Sequence, residues 1–241
     1  MQYRPIKLLP RRTDFFRLMY SNQFDSMISC ILWDNDGVLV DTERLYFEVN
    51  RDCLRQHQIE LSEQNFFDWF LCKNHGAWHL LTERGVAQDD IARYRQQRNE
   101  LYTARLLSEK IPAIPGMPHV LAALAPRTRM GIVTSARREH FEVIHQRLDL
   151  LRHFEFVLTS ESYQHSKPSP EPYLLGLKQL DTAAENCIVV EDSPRGLQAA
   201  LAAGLRCIVL RNALMRDFPF TGAYRIVDSA EALLTEIEAL L

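Results

Sequence analysis

Three things this sequence lacks narrow its class before any motif is read. No apolar run approaches the roughly 20 residues of a membrane-spanning helix, so no membrane partner is expected. The 28 Lys+Arg and 31 Asp+Glu nearly cancel, leaving a net charge of −3. No global field therefore draws the chain toward nucleic acid or an anionic surface. Cysteine is sparse and odd in number, five residues at positions 30, 53, 72, 187 and 207, and never spaced C-x-x-C. Cys187 and Cys207 fall in apolar strand-like runs, so small buried thiols in a reducing cytoplasm are expected rather than a disulfide framework. No His/Cys cluster with metal-ligand spacing occurs, which argues against zinc or copper. Internal repeats and low-complexity tracts are absent too.

What is present reads as an ordinary globular chain. Hydrophobic residues make up 46% and charged residues 24% of 241 positions, enough for a substantial core. The length suits one large domain or a domain carrying an insertion. Residues 1–26 differ from the rest. Arg4, Lys7, Arg11, Arg12 and Arg17 outweigh Asp14 and Asp25, no periodicity develops, and the apolar stretch of a secretory signal is missing. This segment is expected to be a poorly ordered N-terminal extension.

Short β-branched runs recur at 28–33, 129–134, 154–158, 187–191 and 207–210. Several are apolar throughout, as strands buried on both faces of a parallel sheet require. Helical patterns at 117–125, 138–148, 170–180 and 194–203 alternate with them, and Pro194 sits where a helix's first turn accepts proline. Such alternation predicts an α/β, doubly wound parallel-sheet (Rossmann-like) core over 27–42 and 116–241. Residues 43–115 break the rhythm. They lack a strand and read as amphipathic helices at 44–56, 63–71, 78–84 and 88–107, between Asp41-Thr42 and the linker-like Pro112-Ala113-Ile114-Pro115-Gly116. An all-helical insertion, hinged at both ends, is expected there.

The most informative residues are Asp34 and Asp36, in Asp34-Asn35-Asp36-Gly37 at the end of the first strand. Two acids so crowded repel each other unless a cation or a shared proton offsets the repulsion. One can then be an ionised nucleophile and the other a proton carrier. Further polar residues follow later strands or open loops: Thr134 and Ser135, Lys167, and Glu191 with Asp192. In an open parallel sheet the carboxyl ends of the strands share one edge, where ligand crevices form. Hard oxygen ligands, a lysine and a hydroxyl gathered there suit Mg²⁺ and a phosphoryl group. Each residue also has a plainer role. Thr134-Ser135 and Glu191-Asp192-Ser193 could be helix caps, Lys167 a solvated lysine, and Asp41 a hinge or cap residue. A calcium loop fails on spacing, because glycine is fourth rather than sixth and Leu45 is twelfth. Singly the plain readings are good; jointly they are poor.

Asp34-Asn35-Asp36-Gly37, Thr134-Ser135, Lys167-Pro168 and Glu191-Asp192-Ser193-Pro194-Arg195-Gly196, in that order, resemble the motifs of the haloacid dehalogenase-like hydrolase superfamily. The resemblance is to its helical-cap branch of phosphatases and β-phosphoglucomutase-like enzymes, and runs from about residue 27 to the C-terminus. It implies that Asp34 attacks phosphorus to give an aspartyl-phosphate. It implies that Asp36 protonates the leaving alkoxide and then deprotonates the attacking water. Mg²⁺ would be held by Asp34, the Asp36 main-chain carbonyl and Asp192, with Thr134, Ser135 and Lys167 binding the transferring phosphoryl group. Glu191 would be either a water-mediated ligand or a group orienting Lys167.

Dehalogenation needs neither a leaving-group acid nor a metal, so Asp36 and Asp192 point to phosphoryl transfer. A mutase of this branch would carry Gly-x-Ser-Arg on its cap loop. Residues 70–78 (Phe-Leu-Cys-Lys-Asn-His-Gly-Ala-Trp) lack it and contain no arginine. Lys73, Asn74 and His75 there are either substrate contacts or an ordinary interhelical turn. Lys73 is also a formal Schiff-base lysine for phosphonate cleavage, though a surface lysine is the better reading. Tyr46 either faces the cleft or packs in the cap core, and packing is the expected reading. The expected function is a cytoplasmic Mg²⁺-dependent phosphatase of a small soluble metabolite, of the sugar phosphate or phosphoglycolate class, as a monomer or weak homodimer. The alternatives are a sugar phosphomutase and a non-catalytic phosphate-binding module.

Overall fold

The computed structural model describes residues 27–73, 75–212 and 215–241. The expected N-terminal extension, 1–26, and Asn74 lie outside the described residues.

Six strands form one sheet: β1 (Cys30–Trp33), β2 (Arg129–Val133), β3 (Phe156–Leu158), β4 (Cys187–Glu191), β5 (Arg206–Leu210) and β6 (Arg225–Val227). Their order is β3-β2-β1-β4-β5-β6 and every pairing is parallel. The chain winds one way from β1 to β3 and then crosses back to β4, so the order reverses beside β1. Such a reversal opens a crevice at the carboxyl ends of the strands.

Between β1 and β2 lie α1 (Glu43–Arg55), α2 (Glu63–Phe66), a π-helical turn (Phe67–Cys72), α3 (His79–Glu83), α4 (Gln88–Ser108) and α5 (Met117–Leu124). The remaining α-helices among the described residues are α6 (Arg138–His145), α7 (Glu171–Gln179), α8 (Pro194–Ala202) and α9 (Ala230–Glu238). Alternation along β1 assigns the faces. Ile31 and Trp33 join the core with α5, α6 and α9, whereas Cys30 and Leu32 pack with α7 and α8. A strand covered on both sides must be apolar at every position, and all four β1 residues are buried.

The expected regular helix over 63–71 instead ends at Phe66 and continues as the wider turn, with Phe66 and Phe70 stacked at 5.0 Å. These rings, with Leu54, Trp78, Leu81 and Ile91, form a small core of the insertion's own. Leu45 and Val49 of α1 and Tyr102 and Leu106 of α4 join the sheet-side core instead. The two connections to the sheet are tied together by backbone hydrogen bonds from Asp41 N to Pro112 O (3.1 Å) and from Ile114 N to Leu39 O (3.0 Å). Ser193 and Ser229 cap α8 and α9 by accepting from Gly196 N and Ala232 N, which satisfies first-turn donors that a helix leaves open.

Candidate active site

β1 sits between β2 and β4, with Trp33 in register with Ile132 and Val190. The first residues past these three strands are therefore neighbours: Asp34 after β1, Thr134 after β2, and Asp192 after β4. The turn after β1 is drawn tight by the Asn35 carbonyl, which accepts from the amides of Val38, Leu39 and Val40. It also needs Gly37. The residue has φ +79°, and a Cβ there would stand 1.9 Å from Asp192 Oδ2. The close approach of this turn to β4 is thus written into one residue.

Lys167 is the centre of the constellation. Its Nζ donates to Asp34 Oδ1 (2.7 Å), to Glu191 Oε1 (2.7 Å) and to the Val133 carbonyl (2.9 Å). The side chain is 2% exposed, so the solvated-lysine reading fails. Glu191 is saturated. Oε1 accepts from Lys167 and from Tyr173 OH (2.7 Å), and Oε2 from the amides of Asp192 and Ser193 and from Ser193 Oγ. Gly196 makes room for it, since a Cβ at that position would meet a Glu191 oxygen at 1.9 Å.

Asp36 is gripped from three sides. Thr42 Oγ1 donates to Oδ1 at 2.5 Å, while Thr134 Oγ1 and Asn35 Nδ2 each donate to Oδ2 at 3.3 Å. Asp192 Oδ2 accepts from Asn212 Nδ2 at 3.4 Å, and the same amide donates to Glu43 Oε2 at 2.7 Å.

The electrostatics are those of too many acids for one base. Burial, together with neighbouring Glu191 and Asp36, pushes the Asp34 carboxyl up to about 7 against the pull of Lys167. Burial and the charges of Glu191, Asp34 and Glu43 push Asp192 well above the usual range. Burial opposes ionisation of Glu191 too, yet the Lys167 ammonium holds its carboxyl low. Asp34, Glu191 and Asp192 each offer a carboxylate oxygen within 4.8 Å of the others. A hard, oxygen-lined cluster whose negative charge exceeds its one ammonium fits a divalent cation.

The cavity over this cluster is lined by Asp34, Asp36, Thr134, Ser135, Lys167 and Asp192 from the core. From the expected loop, His75 lines it and Lys73 does not. Sequence reasoning missed several contributors: Thr42 and Tyr102, and Arg95 and Arg98 of α4, all of which line the same cavity. Tyr46 answers both placements weighed for it, since it lines the cavity and packs against Phe66, Phe70 and Tyr102.

The model of the haloacid dehalogenase-like hydrolase family matches residues 31–210. The chain belongs to that family. Relatives place it in the phosphatase branch. The hydrolase is 30% identical over 183 residues to the phosphorylated carbohydrates phosphatase of Thermotoga maritima, covering 75% of this chain and 84% of that one. It is 28% identical over 226 residues to the protein CbbY of Cereibacter sphaeroides, covering 84% and 93%. The crystal structure of CbbY from Rhodobacter sphaeroides in complex with phosphate has a TM-score of 0.70 at 26% identity, covering 86% of this chain and 96% of that one. Among the described residues of the hydrolase, no helix is long and apolar enough to cross a membrane.

Proposed function

We propose that this hydrolase is a Mg²⁺-dependent phosphatase of a small phosphorylated metabolite, of the sugar phosphate or phosphoglycolate class, working through an aspartyl-phosphate on Asp34. The observation that carries the reading is the 2.7 Å contact of Lys167 Nζ with Asp34 Oδ1 beneath the cavity. It fixes one carboxylate oxygen and leaves the other for attack. In the first step that oxygen forms a bond to phosphorus while the bond to the leaving alkoxide breaks. Asp36 supplies the proton the alkoxide needs. In the second step water attacks phosphorus, Asp36 takes the proton back, and the bond to Asp34 breaks. Free phosphate leaves and both carboxyl groups are restored.

Lys167 offsets charge on the phosphoryl oxygens, and the Thr134 hydroxyl, already beside Asp36, is placed to do the same with Ser135. Glu191, with both oxygens engaged, orients Lys167 rather than ligating. Mg²⁺ would be held by Asp34, Asp192 and the Asp36 main-chain carbonyl. When bound it would lessen the repulsion between the phosphate dianion and a nucleophile of the same sign. The helical insertion closes over the ester as a cap, domain 43–115 on core 27–42 and 116–241, and excludes bulk water. That shape favours a small ester over a protein or a nucleic acid.

Hydrolysis of 4-nitrophenyl phosphate with and without Mg²⁺ tests the reading. The parent should turn over only with the ion, and Asp34→Asn should be folded and essentially inactive. Residual rates near the parent's would refute Asp34 as nucleophile. Glucose 1-phosphate with a trace of the 1,6-bisphosphate separates the mutase, since isomerisation without free phosphate would replace hydrolysis.

A further inference from the structure

Asn212 follows β5, so a further strand delivers a polar residue to the edge that carries Asp34, Thr134 and Asp192. Glu43 is the first residue of α1, on the insertion side of the hinge. One nitrogen joins the two sides. Asn212 Nδ2 donates to Glu43 Oε2 at 2.7 Å and to Asp192 Oδ2 at 3.4 Å. The amide is not free to turn round. Its Oδ1 accepts from the amide of Met215 at 3.2 Å, and Met215 is itself buried. Arg211, one residue earlier, is forked onto Asp228 at 2.8 and 3.0 Å and donates to the Arg216 carbonyl at 3.0 Å. The loop thus holds the asparagine's two donor hydrogens toward the two acids.

Glu43 lines the cavity and makes no ion pair among the described residues. Its Oε1 is buried with no hydrogen-bond partner among them. Its charge adds to those of Glu191 and Asp34 in opposing ionisation of Asp192. An acid in a first helical turn is ordinarily explained by the helix dipole, and an exposed carboxylate would serve that purpose. The dipole does not explain a buried oxygen without a donor beside another acid, which is a costly arrangement. A hydrated cation does. Mg²⁺ dehydrates reluctantly and keeps several of its waters when bound, and the hydrogens of those waters need acceptors. Glu191 does not supply one, because both its oxygens are already engaged.

We infer that Asn212 and Glu43 are positioning residues of the cation site, Asn212 by fixing Asp192 and Glu43 by accepting from a water of the ion's own shell. This rests on the Mg²⁺-dependent reading of the cluster. The outer acid is therefore Glu43 rather than Glu191. Because Glu43 opens α1, the insertion side of the hinge completes a site whose direct ligands all belong to the core.

Mn²⁺, which takes the same oxygen ligands as Mg²⁺, is the probe. Its binding to the full-length chain at pH 8, without substrate, is read from the spin resonance of the free ion. In Glu43→Gln the Asn212 amide takes the glutamine carbonyl, which leaves an NH₂ group where a bound water needs an acceptor. Mn²⁺ affinity should fall about tenfold, the scale set by loss of an outer-shell partner. Asn212→Ala should lose about as much, and the double variant little more, since both act through one contact. Glu48→Gln removes a charge from the same helix that is paired with Arg44 and Arg105, and should stay within about twofold of the parent because that charge is screened. Thermal melts in EDTA separate positioning from mere structure. Glu43→Gln should melt no lower than the parent, since it relieves the crowding of acids, whereas a structural role would lower it. Should Asn212→Ala lose its fold by circular dichroism, Glu43→Gln decides alone. Parent-like Mn²⁺ affinity in Glu43→Gln, or an equal loss in Glu48→Gln, would overturn the inference. A parent that binds no Mn²⁺ would sink the cation reading and this inference with it. Hydrolysis of 4-nitrophenyl phosphate by the parent reports separately. Its absence, with Mn²⁺ bound and the variant differences intact, would sink the phosphatase reading alone.

Discussion

His145 Nε2 lies 2.7 Å from Asn35 Oδ1, joining the end of α6 to the residue between the two site aspartates. A carbonyl oxygen only accepts, so Nε2 carries the proton. Nδ1 is buried with no hydrogen-bond partner among the described residues, and burial favours the neutral ring. The Asn35 amide in turn donates to Asp36 Oδ2. Two buried polar side chains 110 residues apart thus share one hydrogen bond and bear on Asp36.

This contact sets an acid limit on stability. Burial drives the His145 imidazole down to about 4, with Asp36 pulling weakly the other way. Below pH 6.5 the unfolded chain binds a proton that the native ring refuses. Stability therefore falls as pH drops from about 6.5 to about 4 and levels off below that. The shift of about 2.5 units corresponds to roughly 3 kcal/mol at most. Urea unfolding of the parent and of His145→Gln, compared at pH 7.5 and 4.5, isolates this group from other titrating residues. The variant should lose much less on acidification than the parent. Parallel losses would show that His145 is not the group refusing the proton.

Lys167 offers the opposite pH dependence. Replacing it with methionine leaves Asp34 and Glu191, both buried, without their cation, a loss of about 3–5 kcal/mol at neutral pH. Both carboxyls would then titrate above their unfolded values. A carboxylate with a raised folded value destabilises above that value, and the penalty disappears as pH falls through it. Lys167→Met should therefore be far less stable than the parent at pH 7.5 and nearer to it at pH 5, measured by the unfolding midpoint. A deficit that stays constant or grows in acid would mean that the ammonium does not balance these acids.

The core was legible for a physical reason. Parallel strands covered on both faces leave unbroken apolar runs, and the chemistry follows each run directly, at Asp34, Thr134 and Asp192. β6 leaves no such run, because it has three residues and Arg225 and Ile226 are exposed. Thr42, Arg95, Arg98 and Tyr102 were illegible for a different reason. Which face of an insertion helix turns toward the cavity depends on how the insertion folds back, and the spacing of α4 alone reads as solvated charge. Asn35 carries no signal at all until α6 brings His145 against it.

Gly37 and Gly204 separate backbone strain from collision. Both have left-handed φ, +79° and +76°, but a Cβ at Gly204 meets nothing within 4 Å whereas one at Gly37 meets Asp192 Oδ2. Alanine at either position should cost stability by the strain of a left-handed residue, about 1–2 kcal/mol. Only Gly37→Ala should also displace the Asp192 carboxylate from Asp34. Its rate should fall by roughly 100-fold, and the Mg²⁺ concentration for half-maximal rate should rise about tenfold or more, the scale seen when a ligand's support is lost. Gly204→Ala should keep the parent's rate and Mg²⁺ dependence. Thermal melts and Mg²⁺ activation curves for the two variants check this together. If both lose activity equally, backbone strain rather than the position of Asp192 governs the rate, and Asp192 loses its claim as a ligand.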